Sequence, residues 1–283
     1  MHVMTTTETL PALDIDSHYP LAAAQIEFYR ENGYIKLKKV LSPEVLAHYG
    51  PEITRLVLDS SGKYAPLEER GTYGKAFLQI MNIWERSELM REFVFGKRLA
   101  RIAAELMEAP GARMYHDQAL YKEPGGGITP WHADQYYWPV SSNKTVTAWI
   151  PLTALPREMG PLQISPGTQN MKFGRDLEIG DESEKKLGDV LKDNPLVDTP
   201  FDLGEVSFHS GWTFHRAGAN TSSKPREVMT IIYMDEDMRL TEPKNKNQQA
   251  DWDGWCPGAK IGEIINSPKN PLLWSSRWPL PHR

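Results

Sequence analysis

Apolar positions follow two different periods in the two halves of this chain. In the first half, Ala23, Ile26, Phe28 and Tyr29 mark one side of a helix that the Asn32-Gly33 pair should stop, since glycine adopts the left-handed backbone of a helix end at little cost. The stretch "YIKLKKVL" then alternates, with Ile35, Leu37 and the Val40-Leu41 pair as its apolar positions, and Ser42-Pro43-Glu44 opens a second helix. A further helix is expected from about Ser87 to Glu108, stopped by Pro110-Gly111. From Ala112 onward the pattern changes to short runs rich in Tyr, Trp, Val, Ile and Thr: "RMYHDQALYKEP", "TVTAWIPL", "GPLQISPG", "GEVSFHS", "TFHRAG" and "REVMTIIYM". Six such runs between turn residues predict an antiparallel barrel or jelly roll, a mainly β fold with flanking helices, and exclude an all-helical one.

The same pattern divides a single domain, 1–283, into parts. A loose polar segment (1–20) precedes a mainly helical layer (21–111), a jelly-roll core (112–235) and a Trp- and Pro-rich tail (236–283) expected to pack on that core. The core is interrupted at about 172–195 by "KFGRDLEIGDESEKKLGDVLKDNP", which reads either as a solvated surface helix or as a mobile lid over the barrel mouth. There is no internal repeat and no low-complexity tract.

Composition narrows the class without choosing a function. With 283 residues, 40% hydrophobic and 24% charged, the chain can bury one sizeable core without disulfides or a structural metal. A net charge of −5 with no basic run gives no footprint for nucleic acid. The single cysteine, Cys256, forms no disulfide within the chain and excludes a Cys-rich zinc module. No apolar run is long enough to span a bilayer and the N-terminus has no signal-peptide pattern, so a cytoplasmic protein without membrane contact is expected. Oligomeric state stays open.

Candidate chemistry starts from "TPWHADQYYWP". On extended backbone His132 and Asp134 point to the same side, as a metal edge would require. Alone, such a triplet is more often surface or network chemistry than a ligand pair. Two more histidines, His209 and His215 in "SFHSGWTFHRAGAN", stand on successive predicted strands. Two histidines and a carboxylate form the facial arrangement that holds Fe(II) and leaves other positions open. Arg226 suits a carboxylate-bearing cosubstrate, because its planar guanidinium can make two parallel hydrogen bonds.

The order of these motifs, "HxD", then "GPLQISPGT", then "GEVSFHSGWTFHRAGANTSSKPREVMTIIY", resembles the phytanoyl-CoA dioxygenase family of Fe(II)- and 2-oxoglutarate-dependent oxygenases. "FYRENGYIKLKKVLSPEVL" is similar to that family's opening helix and strand, and the similarity runs from about residue 24 to 235. The resemblance implies a double-stranded β-helix (jelly roll, cupin-like). It implies His132 and Asp134 as proximal metal ligands, His215 as the distal ligand and Arg226 as the cosubstrate clamp, eleven positions on from His215. Gln118 and Trp149 would line the 2-oxoglutarate pocket, and His209 would be a wall residue. Many family members carry Gln between the proximal ligands, where this chain has Ala133; Gln79 and Lys75 then read either as support for the cosubstrate or as exposed polar side chains on the helical layer. Tyr136, Tyr137 and Trp138 read either as an aromatic substrate wall or as core packing beside the barrel mouth.

The implied activity is hydroxylation or desaturation of an unactivated C–H bond in a small, natural-product-like molecule. Fe(II), 2-oxoglutarate and O2 are consumed or used, succinate and CO2 are released, and ascorbate serves as reductant in vitro. Related halogenases lack the carboxylate kept here as Asp134, so halogenation is not expected. Two alternatives use the same residues: a zinc hydrolase with a metal-bound water, and a metal-free jelly-roll binding protein. Metal content and oxoglutarate-dependent CO2 release distinguish them.

Overall fold

Local signals start and stop the first helices of the computed structural model, which describes residues 13–279. Helix α1 (Ala23–Asn32) ends at Gly33, whose φ of 72° is the left-handed cap, and strand β1 (Tyr34–Leu37) follows at once. The Ser42 hydroxyl accepts the Val45 N–H at 3.3 Å and Pro43 fills the first turn, so α2 (Pro43–Ser61) begins where the sequence places it. After the short α3 (Thr72–Ala76), the chain forms a strand inside the layer expected to be helical, β2 (Leu78–Met81). The single helix expected from Ser87 to Glu108 is two, α4 (Glu88–Val94) and α5 (Lys97–Leu106). They part at Phe95-Gly96, where a Cβ on Gly96 would lie 3.1 Å from the carbonyls of Ile15 and Phe93.

The six β runs are all present, as β3 (Gly111–Lys122), β5 (Thr145–Pro151), β6 (Leu162–Ile164), β8 (Val206–Ser210), β9 (His215–Ala217) and β10 (Arg226–Asp235). Shorter strands complete two sheets: β4 (Thr129–His132), β7 (Val197–Asp198) and β11 (Leu272–Ser275). The larger sheet runs β1-β8-β5-β10-β3-β11, with β2 on the same edge of β3 as β11; the smaller runs β4-β9-β6-β7. This is the jelly roll that the segment pattern predicts, with α2, α4 and α5 packed on one face of the larger sheet.

Period-two alternation decides what each face of the larger sheet does. Val146, Ala148, Ile150, Met229, Ile231 and Tyr233 point toward α2, α4 and α5 and form the main apolar core. Their neighbours Thr147, Trp149, Thr230, His209, His116 and Gln118 point the other way, into a cavity of about 320 Å³ facing the smaller sheet. Functional side chains are thus displayed on a rigid, well-packed sheet.

Asp117 lies on the core side of β3, fully buried, with Oδ1 accepting the Ile83 N–H at 2.9 Å and Oδ2 without a partner. Burial pushes its carboxyl up to about 7 against that hydrogen bond. The folded state therefore keeps a proton that the unfolded chain releases near pH 4, so this stability is full below that pH and is lost as pH rises toward 7. Between pH 5 and 8 the wild type should lose about 2–3 kcal/mol more than Asp117→Asn in urea titrations. Identical pH slopes for the two proteins would show that Asp117 is ionised in the fold.

The charged interruption forms α6 (Asp181–Leu191), and its contacts are those of a fixed element. Leu187 and Leu191 are buried against Trp131, Ala133 and Phe214. The Glu184 carboxylate accepts the Trp131 N–H at 2.8 Å and pairs with Arg216 at 2.6 Å. A mobile lid would have to break this seam. Amides of α6 should exchange equally slowly with and without cosubstrate, and Glu184→Ala should cost on the order of 1–3 kcal/mol, since Trp131 N–H loses its acceptor. Strong ligand-induced protection of α6 would restore the lid. The tail supplies α7 (Lys246–Trp255) and β11, both packed on the core.

Candidate metal centre and cosubstrate pocket

His132 closes β4, and His215 opens β9 directly opposite it, with ring centroids 4.1 Å apart. Ala133 continues the extended backbone at φ −126°, after which Asp134 starts a short 3-10 helix (Asp134–Tyr137). The strand stops two residues before Asp134, yet the two side chains still converge. Asp134 Oδ1 lies 3.5 Å from His132 Nε2 and 3.6 Å from His215 Nε2. One ligand atom from each of the three falls within 4.8 Å of the others.

The remaining atoms of this cluster define its protonation. His132 Nδ1–H donates to the Pro130 carbonyl at 2.8 Å, and His215 Nδ1–H to the Thr213 carbonyl at 2.9 Å. In neutral rings both Nε2 lone pairs then face a carboxylate oxygen. Only a cation satisfies three acceptors that converge in this way, so the donor set fits a divalent metal. The other carboxylate oxygen, Oδ2, is held by the Thr147 hydroxyl at 2.8 Å and by His209 Nε2 at 3.3 Å. His209 is thus a wall residue that orients Asp134. Burial, and then His132 and His209, push the His215 imidazolium well below its ordinary range. Burial alone would raise the Asp134 carboxyl, but the three histidines hold it well below the ordinary carboxylate range. His215 and Asp134 are therefore ready to ligate without first losing a proton.

Arg226 lies at the start of β10, 1% exposed, with Nη1 donating to the Gly160 carbonyl at 2.7 Å and Nε without a partner. No acid pairs with it among the described residues, and burial pushes it down to about 9. A buried guanidinium with spare donors calls for an anion with two oxygens, which 2-oxoglutarate carries at its far end. Gly160, the first residue of "GPLQISPGT", has φ 64°, and a Cβ there would stand 2.2 Å from the Gly218 carbonyl. Only glycine lets the Gly160 carbonyl sit this close to the Gly218 backbone while accepting from Arg226.

Gln118, Thr230 and Trp149 stand opposite one another across β3, β10 and β5, and all three line the cavity. Of the two side chains suggested to compensate for Ala133, Gln79 lines it and donates to Gln118 Oε1 at 2.5 Å. Lys75 does not line it; its backbone carbonyl accepts the Gly127 N–H. Trp138 and Tyr137 form an aromatic wall. Tyr136, expected in that wall, turns instead toward α7: its hydroxyl accepts from Asn247 and its carbonyl from Gln248. The 3-10 helix rotates successive side chains by about a third of a turn, so Tyr136 and Tyr137 face different ways, while Trp138, past the helix end, lines the cavity beside Tyr137.

Several residues escape the sequence reading. Thr147 and His116 sit two positions from Trp149 and Gln118 on their strands, and strict alternation would have found both. Lys122, fully buried opposite Arg226, is pushed down to about 6 by burial and then by Arg226 and Arg216. Its Nζ donates to the carbonyls of Gly127 and Gly218. Asp251 and Trp255 reach the cavity from α7; Asn245, whose side chain accepts the Gln248 N–H, caps that helix, but nothing local marks it as a cavity wall.

A jelly roll that displays two histidines and one carboxylate in a pocket with a buried arginine defines a class, the Fe(II)- and 2-oxoglutarate-dependent oxygenases. The sequence profile described as phytanoyl-CoA dioxygenase (PhyH) matches residues 29–228, well over half of the chain. The chain belongs to the phytanoyl-CoA dioxygenase family and is a non-haem Fe(II)/2-oxoglutarate-dependent dioxygenase. It is 23% identical over 258 residues to peroxisomal phytanoyl-CoA dioxygenase of Bos taurus, covering 81% of this chain and 73% of that protein. It is 24% identical over 249 residues to ectoine dioxygenase of Streptomyces avermitilis, covering 81% and 83%. Among solved structures it is similar to the carbocyclase SnoK from nogalamycin biosynthesis, with a TM-score of 0.71, 28% identity and coverage of 89% and 96%. The epimerase SnoN, solved with Fe3+, α-ketoglutarate and nogalamycin RO, gives a TM-score of 0.71 at 25% identity and covers 89% and 98%. Among the described residues no helix is long and apolar enough to cross a membrane.

Proposed function

We propose that His132, Asp134 and His215 hold Fe(II), that Arg226 holds the far carboxylate of 2-oxoglutarate beside Gln118 and Trp149, and that the enzyme oxidises a small, natural-product-like molecule in the cytoplasm. The observation that carries this is the convergence of three potential ligand atoms in the same cavity as an arginine with no acidic partner among the described residues. Iron and 2-oxoglutarate, when bound, supply the decarboxylation to succinate and CO2 and the O2 activation that cleaves a C–H bond. The protein's part is positional. Thr147 and His209 fix the Asp134 carboxylate so that one oxygen faces the metal position, and the carbonyls of Pro130 and Thr213 fix the two imidazoles. Trp138, Tyr137 and Trp149 exclude water from the reacting region. Asp134 fills the position that a halide would need, which favours hydroxylation or desaturation over halogenation.

SnoK is named a carbocyclase and SnoN an epimerase, so an assay for this chain must register ring closure and inversion as well as oxygen gain. Purified enzyme with Fe(II), ascorbate and 2-oxoglutarate should show substrate-stimulated succinate formation against a metabolite panel, with the product read by mass and by NMR. Iron-replete enzyme that never consumes 2-oxoglutarate, with or without any panel member, would sink the proposal.

A further inference from the structure

The cavity has two chemically different ends. Arg226 and Arg216 line one, and Arg216 is already paired with Glu184. The other is lined by α7, which lies outside the residues that match the family profile, and it carries one carboxylate, Asp251. Asp251 Oδ2 accepts the Tyr115 hydroxyl at 3.2 Å, and Trp255 lies one helical turn on. Among the described residues it has no cationic partner: the nearby ammonium of Lys269 lies over the Trp255 ring at 5.4 Å and pairs with Glu85 at 3.3 Å. His116, whose ring packs on Trp255 at 5.5 Å, is kept neutral by burial. Asp251 is itself pushed up to about 7, first by burial, as expected of a carboxylate with no opposite charge beside it. Around it the cavity wall is aromatic, made by Trp255, Trp138 and Tyr137.

An uncompensated carboxylate within aromatic walls is the recognition chemistry of an organic cation, because the ring faces and the carboxylate both attract positive charge. We propose that the substrate is an organic cation, an amine or a quaternary ammonium, whose charged group is received by Asp251 and Trp255 while a neighbouring C–H bond faces His132, Asp134 and His215. This deepens the function proposed above and rests on it. The tail then sets substrate class, while the family core sets the reaction.

The test uses full-length enzyme loaded anaerobically with Fe(II) and 2-oxoglutarate, in which the visible charge-transfer band of the chelate first reports on the metal site. Choline and its neutral carbon isostere, 3,3-dimethylbutan-1-ol, are then titrated into the same sample by calorimetry. Choline should bind about tenfold more tightly than the alcohol. Asp251→Asn and Trp255→Leu should each remove most of that preference by weakening choline while leaving the alcohol nearly unchanged. A missing band would defeat the metal and cosubstrate assignment. A normal band with equal affinities, or with no choline binding, would overturn the cation proposal while the assignment stands; so would a preference that both variants keep.

Discussion

His215→Ala should bind no stoichiometric Fe(II) and consume no 2-oxoglutarate, with its circular dichroism spectrum unchanged. The substitution removes one of three converging donors, and the two that remain leave the metal position open on the side of β9. The neighbouring histidine supplies the control. His209 meets Asp134 Oδ2, not the point that the three donors share. His209→Ala should therefore still bind iron, with affinity lowered about 10–100-fold, the usual effect of losing a partner that orients a ligand. Iron content by mass spectrometry after gel filtration checks both. Loss of metal in His209→Ala and its retention in His215→Ala would reverse the ligand assignment.

Arg226→Gln should raise the KM for 2-oxoglutarate about a hundredfold or more and leave Fe(II) binding intact, since removing one member of a buried charge pair costs about 2–5 kcal/mol. The same change should act oppositely on the protein without its cosubstrate. A buried guanidinium with an unpartnered Nε and no acid beside it is a cost to the fold until an anion arrives. Cosubstrate-free Arg226→Gln should thus melt no lower than the wild type. 2-Oxoglutarate should raise the melting temperature of the wild type but not of the variant. A variant stabilised by 2-oxoglutarate as much as the wild type would place the clamp elsewhere, with buried Lys122 the next cation to test.

What the sequence discloses here tracks how local the cause is. Ser42 at the start of α2, Gly33 at the end of α1 and the alternation in β5 and β10 act within a few residues, and each is legible in the sequence. The pair His132 and Asp134 is legible for the same reason. Strand β2 is not, because four residues carry too little alternation and become a strand only by pairing with Gln118 to Tyr121. The break at Gly96 depends on the approach of Ile15, some eighty positions earlier. His209 shows where order along the chain fails: its partner is an aspartate 75 residues away, brought to it by the closing of one sheet on the other. Asp251 and Trp255 are the extreme case, since nothing near "DWDGWC" marks that helix as a cavity wall.

Metal identity and cosubstrate fate, measured together, test the central claim most directly. Wild-type protein is reconstituted anaerobically with Fe(II), freed of excess metal, and exposed to O2 with 2-oxoglutarate labelled at C1. One iron per chain should be retained, and labelled CO2 should appear in equal amount with succinate, with neither formed by His215→Ala or by zinc-loaded enzyme. Iron-replete wild type that releases no label, or zinc-loaded protein that matches it in activity, would contradict the account.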